Sequence, residues 1–160
     1  MTPSQKLTLN ELKTYLSYES LSGEFTRLRN HKRADTPMNT GYQRVRLKVG
    51  ENSYEMLAHR LAWLFSTGAW PTHEIDHING DRSDNSILNL RDVTRKENAK
   101  NLKLRKSSTS GFHGVTRHQR GWKVEIASKY VGYTSCLGRA IDMRKAVEVK
   151  EGYHKNHGRP

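Results

Sequence analysis

Apolar and polar positions divide the chain into short elements. Thr8-Leu9-Asn10-Glu11 has the form of a capping box, in which the Thr8 hydroxyl and the Glu11 carboxylate satisfy amides at a helix start. Leu7 and Leu12 stand at the staple positions around it, and Leu9, Leu12 and Leu16 recur at helical spacing. The pattern predicts a helix over 9–18 that ends before Ser22-Gly23. Glu24 to Arg29 is β-like, and the polar run from His31 to Thr40 predicts a loop. Between Tyr42 and Val49 the chain alternates, with Val45, Leu47 and Val49 against Arg44, Arg46 and Lys48. That predicts a strand, returned through Gly50-Glu51-Asn52 as a hairpin. Its basic face fits either a phosphate-facing surface or an ordinary solvent face. Ala58, Leu61, Ala62 and Phe65 predict a helix over 58–67 with Gly68 at its end. His59, off or at the edge of that stripe, is read as a packed, hydrogen-bonded histidine.

Ile75 to Ile78 predicts a short strand entering the Asn79-Gly80 turn. A polar loop over 81–86 leads to an irregular second strand over 87–93. Thr94-x-x-Glu97 is another capping box, and a basic helix over 95–104 follows. Lys106 to Gly111 has linker composition. Three β-like runs (114–117, 122–127 and 130–134) precede a helix from Cys136 or Leu137 to Glu151. Leu137, Ile141, Ala146 and Val149 are its expected apolar side, and 152–160 reads as a frayed polar tail.

Composition narrows what these elements build. Only 34% of the 160 residues are hydrophobic, so small cores are expected rather than one large one. The single cysteine, Cys136, excludes a disulfide framework and a cysteine-rich zinc knuckle. No stretch resembles a signal peptide or a membrane span, so a cytoplasmic protein without a membrane partner is expected. The net charge of +12 points to a polyanion. Its distribution is more informative. Residues 1–94 hold 12 basic and 11 acidic residues, whereas residues 95–160 hold 16 basic and 5 acidic. The polyanion contact is therefore expected mainly from the C-terminal part.

The candidate chemistry lies between these halves. Phosphodiester hydrolysis needs an activated water, a cation for the developing charge and a stabilised leaving oxygen. His77 suits the first task, since imidazole titrates near neutrality. Asp76 suits the second as a hard oxygen ligand, and Asn98 offers an amide oxygen in the first turn of the basic helix. Two oxygen ligands completed by water and substrate phosphate favour Mg²⁺ or Mn²⁺ over Zn²⁺. Adjacent strand residues point to opposite faces, so Asp76 and His77 share a phosphate only where the strand leaves regular geometry.

Asp76-His77-Ile78-Asn79-Gly80-Asp81, Asn85, Asn89-Leu90-Arg91 and Glu97-Asn98 resemble the HNH nucleases, specifically the phage and intron-encoded homing endonucleases. Ala58-His59-Arg60-Leu61-Ala62 resembles the segment before the motif in that branch. The resemblance implies a ββα-metal core holding one divalent ion. It implies His77 as general base, Asp76 and Asn98 on the metal, and Asn89 holding the loop and orienting the His77 imidazole. It also implies a phage-infected or bacterial host cell as the setting. Farther on, Gly111-Phe112-His113-Gly114-Val115, Gly121-Trp122-Lys123-Val124-Glu125-Ile126 and Val131-Gly132-Tyr133 resemble the AP2 DNA-binding domain. Arg117, Arg120, Trp122, Lys123 and Lys129 match its DNA-facing positions, although Trp122 is equally readable as a core residue. Arg95, Lys96, Lys100, Lys103 and Arg105, on the basic helix and the start of the linker, are expected on the phosphate backbone.

The resulting expectation is an α+β chain. A support region of one helix and a hairpin (1–53) precedes the ββα-metal nuclease domain (54–105). A linker (106–111), a three-stranded AP2-like sheet with one helix (112–152) and a tail (153–160) follow. The expected activity is metal-dependent cleavage of double-stranded DNA, most simply nicking by a monomer with no obligatory protein partner. A non-enzymatic DNA-binding regulator and an RNA-processing nuclease are the rivals, and charge alone does not separate the three.

Overall fold

The computed structural model describes residues 7–102, 104–155 and 157–158. The chain forms two compact units, one running to Arg95 and the other starting at Lys96. The division falls ahead of the expected linker and one residue into a short helix.

In the first unit, α1 (Leu9–Lys13) carries the expected capping box, with Thr8 and Glu11 bonded reciprocally. The helix stops well before residue 18. Leu16 instead begins β1 (Leu16–Glu19), which pairs antiparallel with β2 (Glu24–Arg27). Hairpin pairing overrides the helical spacing of Leu16, which is buried from the strand. Phe25 is fully buried between Tyr18, stacked at 4.8 Å, and Phe65, edge-on at 5.5 Å. Burying such a ring stabilises the fold by roughly 1.5–3 kcal/mol.

The polar run 31–40 supplies a short strand, β3 (Asp35–Pro37), beside β4 (Gln43–Val49) and β5 (Asn52–Leu57) in the order β3-β4-β5. Val45 and Leu47 are buried as the alternation predicts. On the opposite face Arg44 and Arg46 reach Glu55, at 3.3 and 2.7 Å. Helix α2 (Ala58–Thr67) ends on Gly68, whose φ of 82° supplies the left-handed cap. Strand β6 (Glu74–His77) pairs with β7 (Leu90–Val93), and a 3-10 turn over Ile87–Asn89 enters the latter.

The basic helix is shorter than expected. α3 (Arg95–Asn98) gives way to a 3-10 turn over Ala99–Asn101. In the second unit β8 (Val115–His118), β9 (Gly121–Ile126) and β10 (Lys129–Thr134) form an antiparallel sheet with β9 in the centre, and α4 (Leu137–Lys150) packs on it. The buried side of α4 differs from the expected stripe. Val149 is 83% exposed, while Ala140 and Arg144 are buried. Arg144 bonds the Glu125 carbonyl at 2.8 Å and Glu148 at 2.7 Å, so an arginine occupies the position the helical period reserves for an apolar residue. Part of the expected linker is also packed, since buried Ser110 donates to the Val115 carbonyl at 2.6 Å. The polar tail folds back. His154 N–H donates to the Lys100 carbonyl and Gly158 N–H to the Leu102 carbonyl.

Candidate active site

His77 is the last residue of β6, and both it and Asp76 are buried. The β6–β7 register is regular through both, Asp76 opposite Arg91 and His77 opposite Leu90. The pairing stays regular up to His77, where the strand ends and the chain turns into the loop. Asp76 meets Arg91, whose Nε and Nη2 both donate to Oδ2, at 2.9 and 2.6 Å. His77 faces a separate cluster of rings.

The loop between the strands is built from short polar turns. Gly80, at φ 76°, closes the first, with its N–H on the His77 carbonyl. Asp81 accepts from the Ser83 N–H and hydroxyl, and Asp84 accepts from those of Ser86. Such side chains replace the backbone partners a loop lacks. Asn89 braces both ends: its oxygen accepts from the Asn79 N–H and its amide donates to the Asp84 carbonyl, each at 2.9 Å. Asn89 therefore ties the two ends of the loop together. A hydrogen bond on the imidazole, expected from the same residue, comes from Asn85. Asn85 is 1% exposed, and its Oδ1 lies 3.3 Å from His77 Nε2. The Asn85 amide nitrogen donates to the Ser83 carbonyl, which leaves its oxygen for a ring N–H. With Nε2–H donating to this oxygen, the ring's lone pair is on Nδ1.

The N-terminal hairpin supports this loop from outside. The Tyr18 hydroxyl donates to the Asn85 carbonyl at 2.8 Å, and Ile87 N–H donates to the Ser20 carbonyl at 3.0 Å. Gly23, at φ 75°, lies so close that a Cβ there would be 2.3 Å from Ser86 N. These contacts are invisible in sequence because they join residues more than sixty positions apart.

Around His77, the His59 ring stands edge-on at 5.2 Å and the Tyr42 ring lies at 5.9 Å. Tyr42 and His59 are themselves 5.0 Å apart. Burial pushes the His77 pKa below the ordinary imidazole value, against the upward pull of Asn85 and then Asp76. Burial, followed by repulsion from His77 and Arg60, pushes His59 down to about 3. His59 is packed as expected, but it lacks the expected hydrogen bond: its Nδ1 is buried with no partner among the described residues. Both imidazoles are neutral at pH 7.

Among the described residues no group of three or more His, Cys, Asp or Glu side chains is arranged to hold a metal. Asp76 nevertheless fits a hard divalent ion. It is a buried carboxylate, a hard oxygen donor, oriented by two Arg91 donors on Oδ2. Asn98 belongs to the second unit, so the two expected ligands lie in different units.

The expected DNA contacts are spread over several environments. Arg95 and Lys96 are exposed on α3, and Arg105 is exposed after the 3-10 turn. Lys103 lies outside the described residues. Lys100 is held internally: its Nζ bonds the Glu151 carbonyl and sits 5.6 Å from the Tyr153 ring. Trp122 packs on the core of Val115, Val124 and Ala140, which supports its reading as a core residue. Arg117 lies over the Trp122 ring at 5.2 Å. Lys123 points to the other face and pairs with Glu125 at 2.7 Å. Arg120, in the β8–β9 turn, and Lys129, opening β10, are exposed.

Comparison with known proteins agrees with the central motif. Residues 56–100 match the family model described as HNH endonuclease. Protein 3.8 of Escherichia phage T7 is 32% identical over 74 residues, 44% of this chain and 61% of the relative. The chain thus spans less than two thirds of that relative. A solved structure concerned with DNA binding and cleavage by the HNH homing endonuclease I-HmuI is similar at 27% identity and a TM-score of 0.48, over 54% of this chain and 51% of that one. No helix among the described residues is long and apolar enough to cross a membrane.

Proposed function

We propose that the chain is a metal-dependent DNA endonuclease of the HNH homing type, with His77 as its general base. The observation that carries this reading is the state of His77 itself. It ends a strand beside a buried carboxylate, it is neutral, and Asn85 holds it in the tautomer that keeps the lone pair on Nδ1. A base needs that combination, since an imidazole already protonated accepts nothing. The match of residues 56–100 to the HNH endonuclease family supports the same assignment.

His77 Nδ1 takes a proton from water as the oxygen attacks phosphorus in line with the departing 3′-oxygen. The bond to that oxygen breaks, and the oxygen takes a proton from solvent, leaving a 5′-phosphate and a 3′-hydroxyl. The imidazolium then gives up its proton and returns to the neutral state that burial favours. Asp76 and Asn98 would hold one divalent ion, Mg²⁺ or Mn²⁺ by the hardness of their oxygens. Bound there, the ion supplies Lewis-acid stabilisation of the phosphate and the leaving oxygen. Asn89 and Asn85 keep the loop and the ring in place throughout. The second unit grips the duplex in the manner of an AP2-like sheet, with Arg117, Arg120 and Lys129 as contacts and Arg95, Lys96 and Arg105 on the backbone. One such site per chain fits nicking by a monomer.

Purified protein is incubated with supercoiled plasmid and Mg²⁺, with and without EDTA, beside structured RNA. Nicked circles that depend on the metal and vanish with His77→Ala are expected. Salt-sensitive DNA binding without any metal-dependent cutting would leave the regulator reading instead.

A further inference from the structure

Up to Thr94 the chain holds 12 basic and 11 acidic residues, and four of the first unit's arginines are paired with its own carboxylates. Arg33 pairs with Glu24 and Asp35, Arg44 and Arg46 with Glu55, and Arg91 with Asp76. Arg60 is held by the carbonyls of Pro71 and His73. Arg82 is different. Its guanidinium lies 4.6 Å from the centre of the Tyr42 ring, and its Nη1 donates to the Thr40 carbonyl at 2.9 Å. Its stem passes Gly41, where a Cβ would sit 3.8 Å from Arg82 Cδ. It has no carboxylate partner among the described residues. The loop's own acids are turned elsewhere, Asp81 onto Ser83 and Asp84 onto Asn79 and Ser86.

An exposed arginine ordinarily keeps its rotamer freedom. Here a ring and a carbonyl fix the guanidinium plane while its charge stays unneutralised. Only one of its nitrogens is bonded, so donors remain for an incoming acceptor. A planar, fixed cation of this kind matches a phosphate. Its seat is informative too, because Tyr42 is the ring that touches both His59 and His77. The charge is therefore carried on a ring that borders the candidate base.

We propose that Arg82, seated on Tyr42, is a phosphate contact that positions the cut strand against His77. The ligand is the backbone of a nucleic acid, one phosphodiester per site. The inference rests on the nuclease reading and adds the group that places the substrate. Arg82 itself takes no proton and binds no metal.

The test uses the full chain carrying His77→Ala, so that no strand is cut, and a fluorescently labelled random-sequence duplex. Binding is measured by anisotropy over a range of salt concentrations. Adding Arg82→Ala should weaken binding uniformly across sequences and lower the slope of log affinity against log salt by about one. Arg82→Lys should keep the slope, because it keeps the charge, while losing affinity with the planar seat. Tyr42→Leu should weaken binding through loss of the platform. Melting curves establish that each variant folds. An unchanged slope in folded Arg82→Ala overturns the clamp while the nuclease reading stands. A parent protein that binds no duplex at all overturns both.

Discussion

The two units handle positive charge in opposite ways. In the first, arginines serve architecture: Arg44 and Arg46 share Glu55 across a hairpin, and Arg91 holds Asp76 with two donors. In the second, basic residues far outnumber acids, and Arg105, Arg120 and Lys129 stand exposed. Long-range attraction is generated where charge is left unpaired, and precise geometry where it is paired. The contrast separates holding a chemical group in position from gathering a polyanion. It also shows that buried charge and grip make different demands on a short sequence. The first unit has a larger buried cluster, whereas the second is organised around Val115, Val124 and Ala140 with a buried arginine beside them.

The strongest way to break this comparison is to remove the base. His77→Ala is expected to lower plasmid cutting by about 10²–10⁴-fold while duplex affinity stays within a few-fold, measured by nicking rate and anisotropy on the same preparation. Gly23→Ala attacks the support instead of the chemistry. The new Cβ meets the Ser86 backbone at a left-handed φ, so a loss of about 2–4 kcal/mol in urea unfolding and slower cutting are expected. Acid should also act on the first unit. His59 is neutral in the fold down to about pH 3, whereas the unfolded chain binds that proton near 6.5. Its contribution is complete above pH 6.5 and is lost as pH falls toward 3, with a slope of up to about 1.4 kcal/mol per pH unit. A His59→Asn protein should lose less stability than the parent between pH 7 and 4.5. The smallest effect sharpens the contrast in grip. Arg120→Ala should lower the salt slope of duplex binding by about one, and Arg44→Ala, already paired with Glu55, should leave it unchanged.

Much of the site is legible in sequence where spacing is local. The stripe Ala58, Leu61, Ala62 and Phe65 followed by Gly68 locates α2 at its observed limits. The capping box sets the start of α1, and the run around Asp76-His77 locates one strand of the core pair. Helical spacing misleads at Leu16, because pairing with Arg27 decides its conformation and no local signal records that partner. On α4 the sites 137, 140, 144 and 147 follow the helical period better than the apolar residues do. Arg144 looks like a surface charge until Glu148 and the Glu125 carbonyl are seen to receive it. Asn85 was visible as a spaced amide, but its contact with His77 depends on a loop whose path is set by Tyr18, Ser20 and Gly23. His59 marks a further limit. Burial could be read from its helix, while the missing partner of Nδ1 could not.

The backbone bonds from His154 to Lys100 and from Gly158 to Leu102 carry a consequence for biosynthesis. All strands of the first unit lie before residue 95, so that unit can complete its pairing while later codons are still being translated. The second unit joins its opening segment to residues past α4. It cannot close until residue 158 has emerged from the ribosome. The nascent chain therefore gains its candidate catalytic loop before its most basic unit is finished.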